Sequence, residues 1–276
     1  MKIVVSDRNV GFYSSLLGII YWAYMNIESD RVPYILWKNP KYLASEEDNI
    51  FDYFFEQPKC DELDLDNSDI VKENGIRSDR ILRKAQQNKR SFREEMNHMF
   101  KTVCVIKEEY KELLDKICDD LEINNKMGIH IRRTDRFVGG GGLIYAGPKT
   151  ETIIEHLKRG SINNFYIATD CEDTFKIMND NFECSSYATI RSTKTRGIHH
   201  SNKISHNNKE IAKECFLEGL VLSRCKFLYR MTSNFTIFAL IVNTNISFED
   251  LSKTYEEEIK NDFNLEELFI EDFLSS

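Results

Sequence analysis

Residues 127 to 136 read Met-Gly-Ile-His-Ile-Arg-Arg-Thr-Asp-Arg, a short apolar strand that runs straight into three guanidinium groups and one carboxylate. The groups with chemistry in them are His130, Arg132, Arg133, Asp135 and Arg136. Side chains alternate along a strand, so His130 and Arg132 share one face while Ile129, Ile131 and Arg133 share the other. An unpartnered guanidinium is costly to bury, which makes adjacent arginines at the end of an apolar strand poor packing residues. They do suit a doubly charged anion such as a pyrophosphate, which planar N–H forks grip bidentately. In open α/β sheets the carboxyl edge of the strands is also where ligands bind. A surface arginine–aspartate network at a loop is the competing reading.

Other candidates are spread along the chain. Asp7 closes the first apolar strand and is followed by a glycine turn, Asp7-Arg8-Asn9-Val10-Gly11. Asp170 is the acid that ends the strand Asn164 to Asp170. Four consecutive glycines, Gly139 to Gly142, suit a mobile lid or a phosphate nest, with a plain flexible surface loop as the competing reading. Tyr145, just beyond them, is a candidate for stacking on a sugar acceptor, against the commoner fate of aromatic core packing. His199, His200 and His206 lie in a basic polar loop with no fixed scaffold, so no metal site is expected there.

The elements that must position these groups alternate. Lys2 to Val5 reads as a strand, Phe12 to Asn26 as an apolar helix and Val32 to Trp37 as a second strand. Asp52 to Pro58 reads as a short helix stopped by proline, and 59 to 80 as a polar, irregular connection. Arg77 to Arg93 is strongly basic, either a solvated helix face or a surface for an anionic substrate. Glu108 to Leu121 is an amphipathic helix leading into the arginine strand, with a hinge expected near Glu122 to Lys126. The second half continues with helices at Lys149–Leu157, Glu172–Asp180, Lys209–Arg224 and Asn234–Val242. Between them stand strands at Asn164–Asp170, Ser186–Ile190 and Cys225–Tyr229. Strands alternating with helices specify an α/β chain with a mostly parallel sheet covered on both faces. The expected division is an N-terminal lobe over 1–122 and a Rossmann-like lobe over 123–276.

Composition bounds the function. With 276 residues, 41% hydrophobic, the chain has material for two modest lobes. Forty-five acids against 37 bases give a net charge of −8, which argues against nucleic acid as a partner. The acidic, phenylalanine-studded stretch Glu249 to Asp272 reads as an amphipathic end helix. Seven scattered cysteines with no C-x-x-C pair suggest a reducing, cytoplasmic setting rather than a disulfide framework. The apolar run Leu16 to Met25 is too short to span a bilayer, so no integral membrane segment or leader is expected.

His130-Ile131-Arg132-Arg133-Thr134-Asp135 resembles the H-x-R-R-T-D signature of α1,6-fucosyltransferases, the family that includes the nodulation and animal core fucosyltransferases. Tyr166 to Asp170 looks like that family's second, strand-plus-acid motif. Leu217-Glu218 through Leu222-Ser223, Phe227-Leu228 and Thr232-Ser233-Asn234 follow its third. Asp7 to Phe12 looks like the family's N-terminal loop. The likeness is clear over roughly residues 126 to 242 and weaker before that.

The resemblance implies a two-lobe GT-B-type glycosyltransferase that takes fucose from GDP-fucose and transfers it, with inversion, to a glycan hydroxyl. It implies no cofactor and no metal. Arg132 is then the group at the β-phosphate, where negative charge develops in the transition state. Arg133 is its partner and Asp135 orients them, while Arg136 stands where the family often has lysine. His130 faces the same side, as donor contact or as structural histidine. Asp170 would meet ribose hydroxyls or the guanine edge. Glu218, one methylene longer than the family's aspartate, would meet the nucleotide edge, and Ser233 and Asn234 the phosphates at a helix mouth. One departure concerns the acceptor. Where relatives acting on core chitobiose carry a glutamate, this chain has Phe137-Val138 and four glycines, with no acid. The base must come from elsewhere, and Asp7 is the choice over the acids between Glu46 and Glu56 and over His130. An α1,2-type fucosyltransferase, another GDP-sugar transferase, or a nucleotide- or glycan-binding pseudo-enzyme are the alternatives.

Overall fold

A computed structural model describes residues 2–29, 31–58, 68–133, 148–192 and 207–255, which fall into two compact units. The first unit draws on residues up to 113 and on 207–215, and the second on 114–192 and 216–255. Asp135, Arg136, Tyr145, the glycine run, the three loop histidines and most of the acidic C-terminal stretch lie outside the described residues.

In the first unit, strand β1 (Lys2–Ser6) leads into helix α1 (Phe12–Met25) and strand β2 (Tyr34–Trp37). A short helix α2 (Phe51–Phe54) then passes directly into β3 (Phe55–Glu56), so the helix ends before Pro58 because the chain turns extended at Phe55. The polar connection holds a strand, β4 (Asp69–Lys72). Its composition hides it, because at the sheet edge even Ile70 is exposed. Helices α3 (Ser78–Gln87) and α4 (Phe92–Val103) and strand β5 (Val105–Ile106) follow. The basic stretch supplies the exposed face of α3. A capping box marks the start of α4, where Ser91 accepts from the Glu94 amide and Glu94 accepts from the Ser91 amide. Strands pair in parallel in the order β2-β1-β4, while β3 and β5 form a separate antiparallel pair. Phe12 sits among aromatic rings, with centroids 4.9 Å from Trp37, 5.3 Å from Tyr42 and 5.8 Å from Phe54.

Helix α5 (Glu108–Asp120) runs into the second unit and is followed by Glu122, whose backbone is left-handed, and a 3-10 turn at Ile123–Asn125. Then come β6 (Met127–Ile131), α6 (Thr150–Arg159), β7 (Asn164–Thr169), α7 (Glu172–Asn181) and β8 (Glu183–Ser185). They are followed by α8 (Asn207–Arg224), β9 (Phe227–Arg230), α9 (Asn234–Val242), β10 (Phe248–Asp250) and α10 (Leu251–Thr254). The strand expected at Ser186–Ile190 lies earlier, at Glu183–Ser185, because those residues are the ones that reach parallel register with Asn164–Tyr166. Glu183, Cys184 and Ser185 give no apolar signal for it.

All five strands are parallel, in the order β10-β9-β6-β7-β8. Ile129 and Ile131 of β6 bury with Ile153, Ile154 and Leu157 of α6. On the other face of β6, a side chain at Gly128 would meet Cys225 and Leu222 at 3.0–3.1 Å, so α8 packs close to that face. Among the described residues no helix is long and apolar enough to cross a membrane.

Candidate active site

Parallel strands place their carboxyl ends at one edge, and in the second unit that edge gathers the candidates. Arg132 and Arg133 follow β6, Asp170 follows β7, Met231 to Ser233 follow β9, and Asp250 ends β10. From β6 the chain builds outward through β7 and β8 to one side, then returns to build β9 and β10 on the other. The crevice of such a sheet therefore opens between the ends of β6 and β9, where its order reverses.

That crevice is walled by tied groups. Ser233 caps α9, its hydroxyl accepting from the Thr236 amide at 3.3 Å. The same hydroxyl lies 3.5 Å from Nδ1 of His130. The Thr236 hydroxyl donates back to the Met231 carbonyl at 3.0 Å, which fixes the approach to the helix. The His130 ring stacks on Phe235, centroids 4.8 Å apart and planes within 20°. A stacked pair of this kind contributes about 0.5–1.5 kcal/mol beyond burial. His130 is thus a buried joint between β6 and the mouth of α9, where main-chain amides and the helix dipole favour an anion. Asn234, the first residue of that helix, is half-buried.

The two arginines part company. Alternation puts Arg133 on the face of Ile129 and Ile131, and there its side chain is buried against α6. Its guanidinium donates to the Pro148 carbonyl at 2.6 Å and to the Thr150 hydroxyl at 3.2 and 3.3 Å. Burial pulls its pKa down to about 10, which leaves it charged at neutral pH. Its amide donates to Oδ1 of Asp170 at 2.9 Å. Arg132, half-buried, belongs by the same alternation to the His130 and α9 side. The expected pair of arginines on one pyrophosphate becomes one arginine on the crevice side and one on the core side.

The remaining acids are placed as follows. Asp170 braces the ends of β6 and β7 through Arg133, and its own carbonyl accepts from the Ser192 amide at 2.9 Å. Glu218 is buried on α8 beside Tyr166, halfway along β7 rather than at its end. Burial first, and then the Glu218 carboxylate, push the Tyr166 hydroxyl well above its ordinary range. A buried ion pair that the sequence reading did not single out joins edge strand β10 to its neighbour β9: Arg230 and Asp250 lie 3.4 Å apart, in register across the two strands. The alternating charge at two strand ends was its only signal.

Asp7 belongs to the first unit. It follows β1 at the carboxyl edge of the three-stranded sheet, about half exposed, with Lys72 Nζ 3.6 Å away.

No protein-family model matches the chain, and no curated protein matches its sequence. Solved structures do match. The chain is similar to NodZ α1,6-fucosyltransferase soaked with GDP-fucose at 14% identity and a TM-score of 0.54, over 87% of this chain and 92% of that one. It is similar to NodZ from Bradyrhizobium at 13% identity and 0.51, over 86% and 91%. A mutant of Arabidopsis thaliana FUT1 in complex with GDP gives 11% and 0.51, over 88% of this chain and 69% of that chain. At these identities the likeness is one of fold. The protein has the α/β fold of GT-B-type glycosyltransferases, in the form seen in solved fucosyltransferases.

Proposed function

We propose that this protein is an inverting fucosyltransferase that takes fucose from GDP-fucose and attaches it to a glycan hydroxyl. The observation that carries the reading is the crevice between β6 and β9. Alternation puts Arg132 on the His130 face of β6, and His130 ties that strand to the capped N-terminus of α9 through Ser233 and Phe235. That arrangement suits a diphosphate, and solved structures of this fold hold GDP-fucose or GDP.

In the proposed reaction the acceptor oxygen forms a bond to fucose C1 while the bond from C1 to the β-phosphate oxygen breaks. The electron pair of the broken bond stays with GDP, and the acceptor proton passes to a carboxylate. Charge on the departing diphosphate grows through the transition state, so a fixed cation beside it stabilises that state more than the ground state. Arg132 takes this role, with Ser233, Asn234 and the α9 amides on the phosphates. Asp170 and Arg133 hold the strand ends that carry them. Asp7 is the proposed proton acceptor, since its carboxylate follows β1 at the carboxyl edge of the first sheet, where ligands of such sheets bind.

The lobe 123–276 would take the donor and the lobe 1–122 the acceptor. No cofactor or metal is assigned, the cationic partners of the phosphates being Arg132 and the helix terminus. The cysteines Cys104, Cys118, Cys171, Cys184, Cys215 and Cys225 are free thiols, which supports work in a reducing cytoplasm. The test is GDP release from GDP-fucose with and without pooled glycan acceptors. Acceptor-dependent release of GDP with fucosylated product supports the reading. GDP binding with no turnover on any pool points to a binding protein instead.

A further inference from the structure

The reaction proposed above makes no use of Glu73, although its side chain is fully buried. It follows β4, its amide continuing the parallel ladder by donating to the Val5 carbonyl at 2.8 Å. Its carboxylate accepts from the Ser6 hydroxyl at 2.9 Å, from the Arg8 guanidinium at 2.8 Å and from the Gly75 amide at 2.5 Å. Room for it is made in α1 by Gly18, where a β-carbon would sit 2.0 Å from Glu73 Oε1. An apolar residue over an alanine would fill a sheet–helix interface without the desolvation of a carboxylate. The placement of the donors points to what the carboxylate does instead. Ser6 and Arg8 flank Asp7, and Glu73 holds both neighbours while the Asp7 side chain remains exposed. At the far end of the same loop, Asn39 donates to the Val10 carbonyl at 2.9 Å and the Phe12 amide donates to the Tyr42 hydroxyl at 2.9 Å.

We propose that Glu73 is a positioning residue that locks the loop 7–11 at the carboxyl edge of the first sheet, and thereby presets Asp7 for its part in the reaction. The lock itself is independent of which reaction is catalysed; its catalytic consequence rests on the fucosyl-transfer reading. A loop held at both ends loses little conformational freedom when acceptor binds, so proton transfer starts from a prepared geometry.

The experiment separates positioning from bulk stability. Glu73→Ala opens the space that Gly18 now concedes, so Gly18→Ala in that background should recover thermal stability by filling it and by improving the helix. It should not restore the loop. Backbone amide exchange over residues 8–11 is expected to rise at least tenfold in both Glu73→Ala and the double variant. For GDP-fucose, kcat is expected to fall tenfold or more with KM within twofold. Glu73→Gln, isosteric but with one acceptor oxygen for three donors, should show the same pattern more weakly and serves if the alanine variants fail to fold. Wild-type exchange protection over 8–11 in any folded Glu73 variant overturns the lock. Faster exchange with unchanged kcat overturns the catalytic consequence. If the wild-type protein transfers no fucose at all, the exchange result still decides the lock, and the reaction assignment fails separately.

Discussion

The amide of Arg133 donates to Oδ1 of Asp170 at 2.9 Å, while its guanidinium turns the other way, to Pro148 and Thr150 at the start of α6. One residue thus ties the ends of β6 and β7 to the helix that covers them. It also leaves Arg132 as the arginine on the crevice side.

Arg133→Met should therefore act first on stability. It leaves the Pro148 carbonyl and Thr150 hydroxyl without their buried donor, a loss on the order of 1–3 kcal/mol. Thermal denaturation is expected to show a clear fall in Tm, with GDP affinity reduced as a consequence. An unchanged Tm with lost GDP binding would assign the guanidinium to the phosphates instead.

Arg132→Ala should do the reverse. Removing a charge-assisted donor from the developing diphosphate costs on the order of 3 kcal/mol or more in the transition state, so transfer should be abolished with Tm unchanged. Activity above about a tenth of wild type, roughly an order of magnitude beyond what a loss of that size allows, would take Arg132 out of the site.

How far these roles can be read without coordinates differs between the two sheets. Strand β6 and the alternation that separates Arg132 from Arg133 follow from the letters alone, and α9 was placed to the residue by its apolar run. Strands β4 and β8 were hidden or misplaced because short edge strands are specified by their pairing partners, not by apolar patterning. The inward turn of Arg133 depends on Pro148 and Thr150, which come together with it only through the packing of α6. Glu73 was invisible for a similar reason: its partners Ser6, Arg8 and Gly18 are remote in sequence, and a lone glutamate after a polar strand carries no pattern.

Asp7→Asn tests the proton acceptor. Turnover should drop by roughly a hundredfold or more, as expected when a general base is removed, while GDP affinity stays at the wild-type value. Normal turnover, or loss of GDP binding in place of turnover, would show that Asp7 is not the base.

Metal dependence is a separate check. The phosphate charge is assigned to Arg132 and the α9 terminus, and among the described residues no group of three or more His, Cys, Asp or Glu is placed to hold a metal ion. Turnover of GDP-fucose should persist in EDTA. Complete loss, restored by adding a divalent cation, would require a metal in the site.

The most direct measurement is a crystal structure of the protein soaked with GDP. The diphosphate should lie in the crevice between β6 and β9, with Arg132 on one side and the Ser233–Asn234 end of α9 on the other. The Arg133 side chain should remain on Pro148 and Thr150. GDP bound elsewhere, or a diphosphate held by Arg133 with Arg132 turned away, would contradict the account.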